Sequence, residues 1–123
     1  MPFLPIAFAL ERTVLPFVAL VDSGAAVNVL PYSAGVQLGA IWEKQTVPVP
    51  LTGNLSASEA RVLVLDGTIG HFAPVRLGFA WAKTDNVPIL LGQMNFFLEF
   101  DVCFFRSRSV FEIRPKGSGA LPV

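Results

Sequence analysis

The sequence predicts an all-β domain, and three observations predict it. The chain holds about eleven short apolar, β-rich runs, most of roughly four to eight residues. Glycine, proline and small polar residues punctuate those runs. Only two stretches, Tyr32 to Leu38 and Gln93 to Leu98, read as helices, and both are short.

At 123 residues the chain makes one domain with room for a core. That domain is expected over residues 1–115, with 116–123 a flexible tail containing glycine and proline. Phe3 to Leu10 reads as a first strand and Glu11 to Thr13 as a polar turn. Val14 to Val21 is the returning strand, and Val27 to Leu30 the next. Pro31 suits a first helical position and Gly39 a helix end. Trp42 to Lys44 is expected to begin an extended section, and the prolines of Val47 to Leu51 make that stretch an edge or a loop. Arg61 to Leu65 reads as a strand closed by an Asp66-Gly67 hairpin turn. Further strand follows from Thr68 to Trp81, broken near Pro74 and Gly78, then a polar loop from Ala82 to Asn86. Pro88 to Leu91 is a strand leading into Gly92. Phe100 to Phe105 and Val110 to Ile113 read as a hairpin turned by Arg106 to Ser109.

The chemistry concentrates where the second strand ends. Phe17 to Val21 is continuously apolar, as a strand buried on both faces is, and runs into Asp22-Ser23-Gly24-Ala25. This puts a carboxylate at the edge of a dry core. Gly24 lets backbone approach a ligand closely, and Ser23 can hydrogen-bond a neighbouring loop. Alone, Asp-Ser-Gly is an ordinary turn tripeptide. A second element decides between the readings: Leu90-Leu91-Gly92, whose glycine lies 70 positions after Asp22.

An apolar strand ending in Asp-Ser/Thr-Gly-Ala, followed in order by an apolar-apolar-Gly strand and a short helix, resembles the retropepsin-like aspartic proteases. The resemblance runs from about Leu4 to Pro115 and is nearest to the stand-alone, single-domain prokaryotic members. It implies a closed retropepsin-like β-barrel with one or two short helices, working as a C2 homodimer. It makes Asp22 the catalytic residue, with Ser23, Gly24 and Ala25 supporting its loop and Leu90, Leu91 and Gly92 forming the strand behind it. It places a flap, the hairpin that closes over substrate, at Thr52, Gly53, Asn54, Leu55 and Ser56. Metal-free peptide hydrolysis needs one group to activate water and another to protonate the amide. Two neighbouring carboxylates sharing one proton do both. One Asp-Ser-Gly per chain therefore asks for two chains. Asp66 and Asp85 do not follow an apolar strand in the same way.

One departure stands out. Retroviral members carry acids just after Asp-Thr-Gly-Ala and an arginine after the second glycine; here those places hold Ala26, Val27 and Gln93. With that ion pair missing, the Phe-rich C-terminal hairpin, read as apolar on both faces, is the expected dimer contact.

Composition excludes other classes. Net charge is zero, which gives no case for nucleic acid or an anionic membrane surface. No apolar run is long enough to span a bilayer, and the start of the chain lacks a basic n-region, so no signal peptide is expected. The apolar fraction of 53% points to a buried subunit interface. Cys103 is alone, which fits a reducing, cytoplasmic setting. His71 is the only histidine, so neither a zinc site nor a Cys/His nucleophile is expected, and no cofactor. The leading expectation is a homodimeric aspartic endopeptidase acting on peptide or protein. The alternative is a non-catalytic module of the same fold used for dimerisation or peptide binding. An unrelated barrel for a small apolar ligand would require both motifs to coincide by chance.

Overall fold

The structure, a computed structural model, describes residues 2–51, 57–92, 100–105 and 110–115. The flap residues 52–56, the helix expected over 93–98, the turn at 106–109 and the tail at 116–123 lie outside the described residues.

Strands β1 (Phe3–Leu10) and β2 (Thr13–Val21) form a hairpin with Leu10 opposite Thr13. So tight a turn needs a left-handed residue, and Glu11 supplies it at φ 54°. Alternation sends Leu4, Ile6, Phe8, Ala19 and Val21 inward. The opposite face pairs Phe3 with Leu20, Pro5 with Val18, Ala7 with Pro16 and Ala9 with Val14, so it too is wholly apolar. Phe3, Val14 and Val18 are each about 60% exposed there, so part of the high apolar content lies on this outer face.

The chain then forms β3 (Asn28–Leu30), helix α1 (Tyr32–Gln37), β4 (Ala60–Thr68), β5 (Val75–Ala82) and β6 (Leu90–Leu91). The strands pair in the order β1-β2-β6-β3-β5-β4, and β4 returns to β1 through Ala7–Thr68, Phe8–Gly67 and Ala9–Asp66. β6 lies parallel to β2 and antiparallel to β3; β3 lies parallel to β5. The core inside this ring is aromatic at its centre. Phe8 meets Phe79 edge-on at 5.1 Å between ring centroids, and Trp81 stacks on Tyr32 and takes Trp42 edge-on.

A six-residue helix is too short to hold itself by propensity, and α1 is held from outside. Pro31 is its N-cap rather than its first residue and makes no side-chain cap bond. The β5–β6 loop caps it instead: Thr84 O accepts from Tyr32 N at 3.1 Å and Asp85 Oδ1 from Ser33 N at 2.8 Å. Trp81 Nε1 donates to Tyr32 O. Gly35 lies flush on the Trp81 ring, where a Cβ would come within 2.3 Å.

Three expectations are corrected. Trp42–Lys44 is a single 3₁₀ turn, not extended chain. Trp42 must reach the core, where it is 4% exposed, and Arg61 locks it there by lying over the ring at 4.4 Å and donating from Nη1 to Trp42 O. Asp66-Gly67 is not a turn; β4 passes straight through it and the hairpin turns after Thr68. Gly67 serves packing, because a Cβ there would meet Leu77 Cδ1 at 2.7 Å and Ile6 Cδ1 at 3.2 Å. Asp66 reaches Arg76 at 3.8 Å with both side chains at least half exposed, a pair that adds little stability. Gly78 likewise lies within β5 rather than breaking it.

Strands β7 (Phe100–Phe105) and β8 (Val110–Pro115) form the expected hairpin as a separate two-stranded sheet. The register puts Phe100, Val102, Phe104, Phe111, Ile113 and Pro115 on one face. Between these pairs it sets Asp101 opposite Arg114, Cys103 opposite Glu112 and Phe105 opposite Val110.

Candidate active site

β2 delivers Asp22 from a strand whose last turnable atoms are already bonded. Leu20 N donates to Ile89 O at 2.8 Å, Val21 N to Pro2 O at 3.0 Å and Asp22 N to Leu91 O at 3.0 Å. Val21, just before the acid, is 2% exposed, while Asp22 is half-buried. The carboxylate folds back on its own loop. Asp22 Oδ1 accepts from Gly24 N at 2.9 Å, and Ala25 N donates to Asp22 O at 3.1 Å. A Cβ on Gly24 would stand 3.2 Å from that same Oδ1, so a residue without one fits best. Ser23, Gly24 and Ala26 are exposed along this loop and Ala25 is half-buried.

Behind the loop stands Gly92. A Cβ at this position would lie 2.6 Å from Ala25 O and 2.7 Å from Val27 O, closer than such atoms approach. The Asp22 loop thus rests on the bare backbone that continues β6. Leu90 and Leu91 pair with Leu20 and Val21, so both sequence elements meet side by side.

Asn28 ties them together, and sequence reasoning missed it. It is 1% exposed, accepts from Gly92 N through Oδ1 at 2.8 Å and donates from Nδ2 to Gly78 O at 3.0 Å. One amide thus bridges β3, β5 and the end of β6. The signal was present as an amide inside the apolar stretch Ala25 to Leu30, but its partners lie 50 and 64 positions away. Asn28→Leu leaves the buried Gly92 N–H without its acceptor, and is expected to destabilise the fold by about 1–3 kcal/mol in denaturant titration. Wild-type stability in that variant would contradict the bridging role.

A cleft of about 300 Å³ opens over Asp22 between Ala25, Val27, Val29, Leu51 and Leu90. Val27, Leu51 and Leu90 pack on a small apolar cluster of Val29, Ala82 and Val87. Among the described residues that line the cleft, Asp22 is the only charged one. The other acids singled out in the sequence are engaged elsewhere, Asp66 at Arg76 and Asp85 at the start of α1. His71 is exposed in the β4–β5 turn against Phe72. Among the described residues no group of three or more His, Cys, Asp or Glu is placed to hold a metal ion, and no helix is long and apolar enough to cross a membrane.

No family model matches the chain, and no curated protein matches it. Among solved structures it is similar to a retropepsin-like aspartic protease from Rickettsia conorii. That likeness covers 91% of this chain and 89% of the other, at 21% identity and a TM-score of 0.60. The fold is retropepsin-like. In a retropepsin-like fold, a mostly β domain with almost no helix, the loop that carries Asp22 and the Leu90-Leu91-Gly92 strand behind it lie in direct contact.

Proposed function

We propose that the protein is an aspartic endopeptidase that works as a C2 homodimer, with one Asp22 from each subunit. The observation that carries this reading is a carboxylate that is the only charged group among the described residues lining its cleft, on a loop wedged against Gly92 and tied by Asn28. One acid cannot both take a proton from water and give one to the amide. Two Asp22 carboxylates on a two-fold axis share a proton and divide the work. The ionised member removes a proton from water, which attacks the carbonyl carbon. The protonated member donates to the carbonyl oxygen; the member that took the proton from water then gives it to the departing nitrogen, and the first recovers a proton from the diol hydroxyl as the C–N bond breaks. Ser23 steadies the paired loops, Gly24 and Ala25 present backbone to the substrate, and residues 52–56 close over it as a flap. Leu90, Leu91 and Gly92 hold the loop from behind. The closed ring of strands is the retropepsin-like barrel, and the apolar face of β7–β8 supplies dimer contact. No cofactor or metal is required, and the setting is the cytoplasm of a prokaryote.

The absence of acids at Ala26 and Val27 favours a second reading, a dimerisation or peptide-binding module without catalysis. The two are separated by incubating the protein with an unfolded protein substrate over a dilution series, with and without pepstatin. Pepstatin-sensitive cleavage is expected, falling faster than linearly as protomers separate, with sedimentation showing a dimer at high concentration. An active monomer would defeat the shared site, and no cleavage at any concentration would leave the binding module.

A further inference from the structure

The peptide unit between Leu91 and Gly92 is bonded at both of its polar atoms. Its oxygen, Leu91 O, accepts from Asp22 N at 3.0 Å. Its nitrogen, Gly92 N, donates to Asn28 Oδ1 at 2.8 Å. The amide of Asn28 then donates from Nδ2 to Gly78 O at 3.0 Å. A single chain of amides therefore runs from Asp22 to β5, and every bond in it donates in the same direction.

A trans peptide unit is planar, and its N–H and C=O point opposite ways. Asp22 and Asn28 therefore hold one rigid plane from its two edges. Turning the plane to follow one partner breaks the bond to the other. β6 has only two residues, Leu90 and Leu91, so little else fixes the plane that ends it. The backbone gives no slack: a Cβ on Gly92 would stand within 2.7 Å of both Ala25 O and Val27 O. Amides linked head to tail also polarise one another, by about 10–30% per bond. Asn28 suits the place chemically. The residue must accept on the Gly92 side and donate on the Gly78 side, and at 1% exposure an amide does both without a buried charge.

We infer that Asn28 is a positioning residue for the Asp22 carboxylate. Through the Leu91–Gly92 peptide it fixes the backbone from which the acid projects, and with it the geometry of proton transfer. Its effect falls on the chemical step rather than on substrate binding. This rests on the endopeptidase reading of Asp22. Asn28 also lines a hollow that shares Val27 with the Asp22 cleft, so the split between kcat and KM decides which of the two roles it has.

The test is steady-state peptide cleavage by wild type, Asn28→Asp and Asn28→Leu across a pH series. Sedimentation and circular dichroism fix the amount of folded dimer in each assay. Asn28→Asp is nearly isosteric. A protonated carboxyl accepts from Gly92 N and donates to Gly78 O, as the amide does. The ionised form has nothing to donate. Burial and the facing Gly78 oxygen both disfavour that form, so the new group titrates above the usual carboxylate range. The kcat of Asn28→Asp is therefore expected to approach wild type at acid pH and to fall about 10–100-fold below it as pH rises, with KM close to wild type. Asn28→Leu is expected to lose a similar factor in kcat at every pH, and gives the same reading should Asn28→Asp fail to fold. A raised KM with unchanged kcat, wild-type kcat in a folded variant at high pH, or an Asn28→Asp to wild-type ratio that does not change with pH would overturn the inference. So would loss of the folded dimer in both variants at every pH, which would place Asn28 in the barrel's framework and not in the setting of the acid. Each of these leaves the endopeptidase reading standing as long as wild type cleaves. No cleavage by wild type would overturn both.

Discussion

Asp22→Asn is expected to remove peptide cleavage, by at least about 10³-fold, and to leave the fold intact. The magnitude follows from the step that is lost, since positioned proton transfer contributes about 10²–10⁴-fold and both halves of the proposed pair would change together. The fold survives because the substitution keeps what the structure uses. Asn retains an oxygen to accept from Gly24 N, now bonded to Asp22 Oδ1 at 2.9 Å, and its added amide sits at a half-buried, open position. The backbone bonds from Asp22 N to Leu91 O and from Ala25 N to Asp22 O do not involve the side chain. Circular dichroism and thermal unfolding close to wild type, with no product from an unfolded substrate, are the expected pair of results. Full activity in purified Asp22→Asn protein would mean that Asp22 is not the catalytic acid. Loss of activity together with loss of fold would place its role in structure.

What could be read from the sequence divides along a physical line. Local signals were legible. The apolar run ending in Asp22, the hairpin of β1 and β2, the helix after Pro31 and the strand before Gly92 all follow from periodicity and punctuation within a few residues. Features decided by distant neighbours were not. Asp66-Gly67 carries the same local signal as a hairpin turn, yet Gly67 sits in mid-strand because Leu77 and Ile6 fill the space of its missing Cβ. Trp42 lies in a polar, proline-flanked stretch that suggests extended chain, and turns inward because Trp81, Tyr32 and Arg61 meet it there. Asn28 sits within the strand read over Val27 to Leu30, and its role comes from partners on β5 and at the end of β6. The site shows the same division: Asp22 and Gly92 announce themselves, whereas the amide that holds them in register does not.

Gly92→Ala tests that register directly, and it is the costliest single methyl group to add near the site. The new Cβ would lie 2.6 Å from Ala25 O, 2.7 Å from Val27 O and 3.0 Å from Val27 C. All three are backbone atoms, so no side-chain rotation relieves the contact. Either the segment from Asp22 to Val27 moves out or Gly92 moves back. Retreat stretches the 2.8 Å bond from Gly92 N to the buried Asn28 Oδ1. Overpacking of this kind costs about 1–3 kcal/mol, and weakening a buried hydrogen bond adds about 1 kcal/mol more. The expected outcome is a loss of roughly 2–4 kcal/mol, a large share of the stability of a domain this size, with cleavage falling further than stability alone predicts. Gly39→Ala is the control. Gly39 has φ 91° with open space around its Cβ position, so alanine there meets only the left-handed backbone cost of about 1–2 kcal/mol and touches nothing near Asp22. Denaturant titration and cleavage rates on both variants separate the two effects. Gly39→Ala should lose some stability and keep its activity per folded molecule; Gly92→Ala should lose both. A Gly92→Ala protein with wild-type stability and rate would show that the Asp22 loop does not rest on residue 92, and that the contact between the two sequence elements does not set the position of the carboxylate.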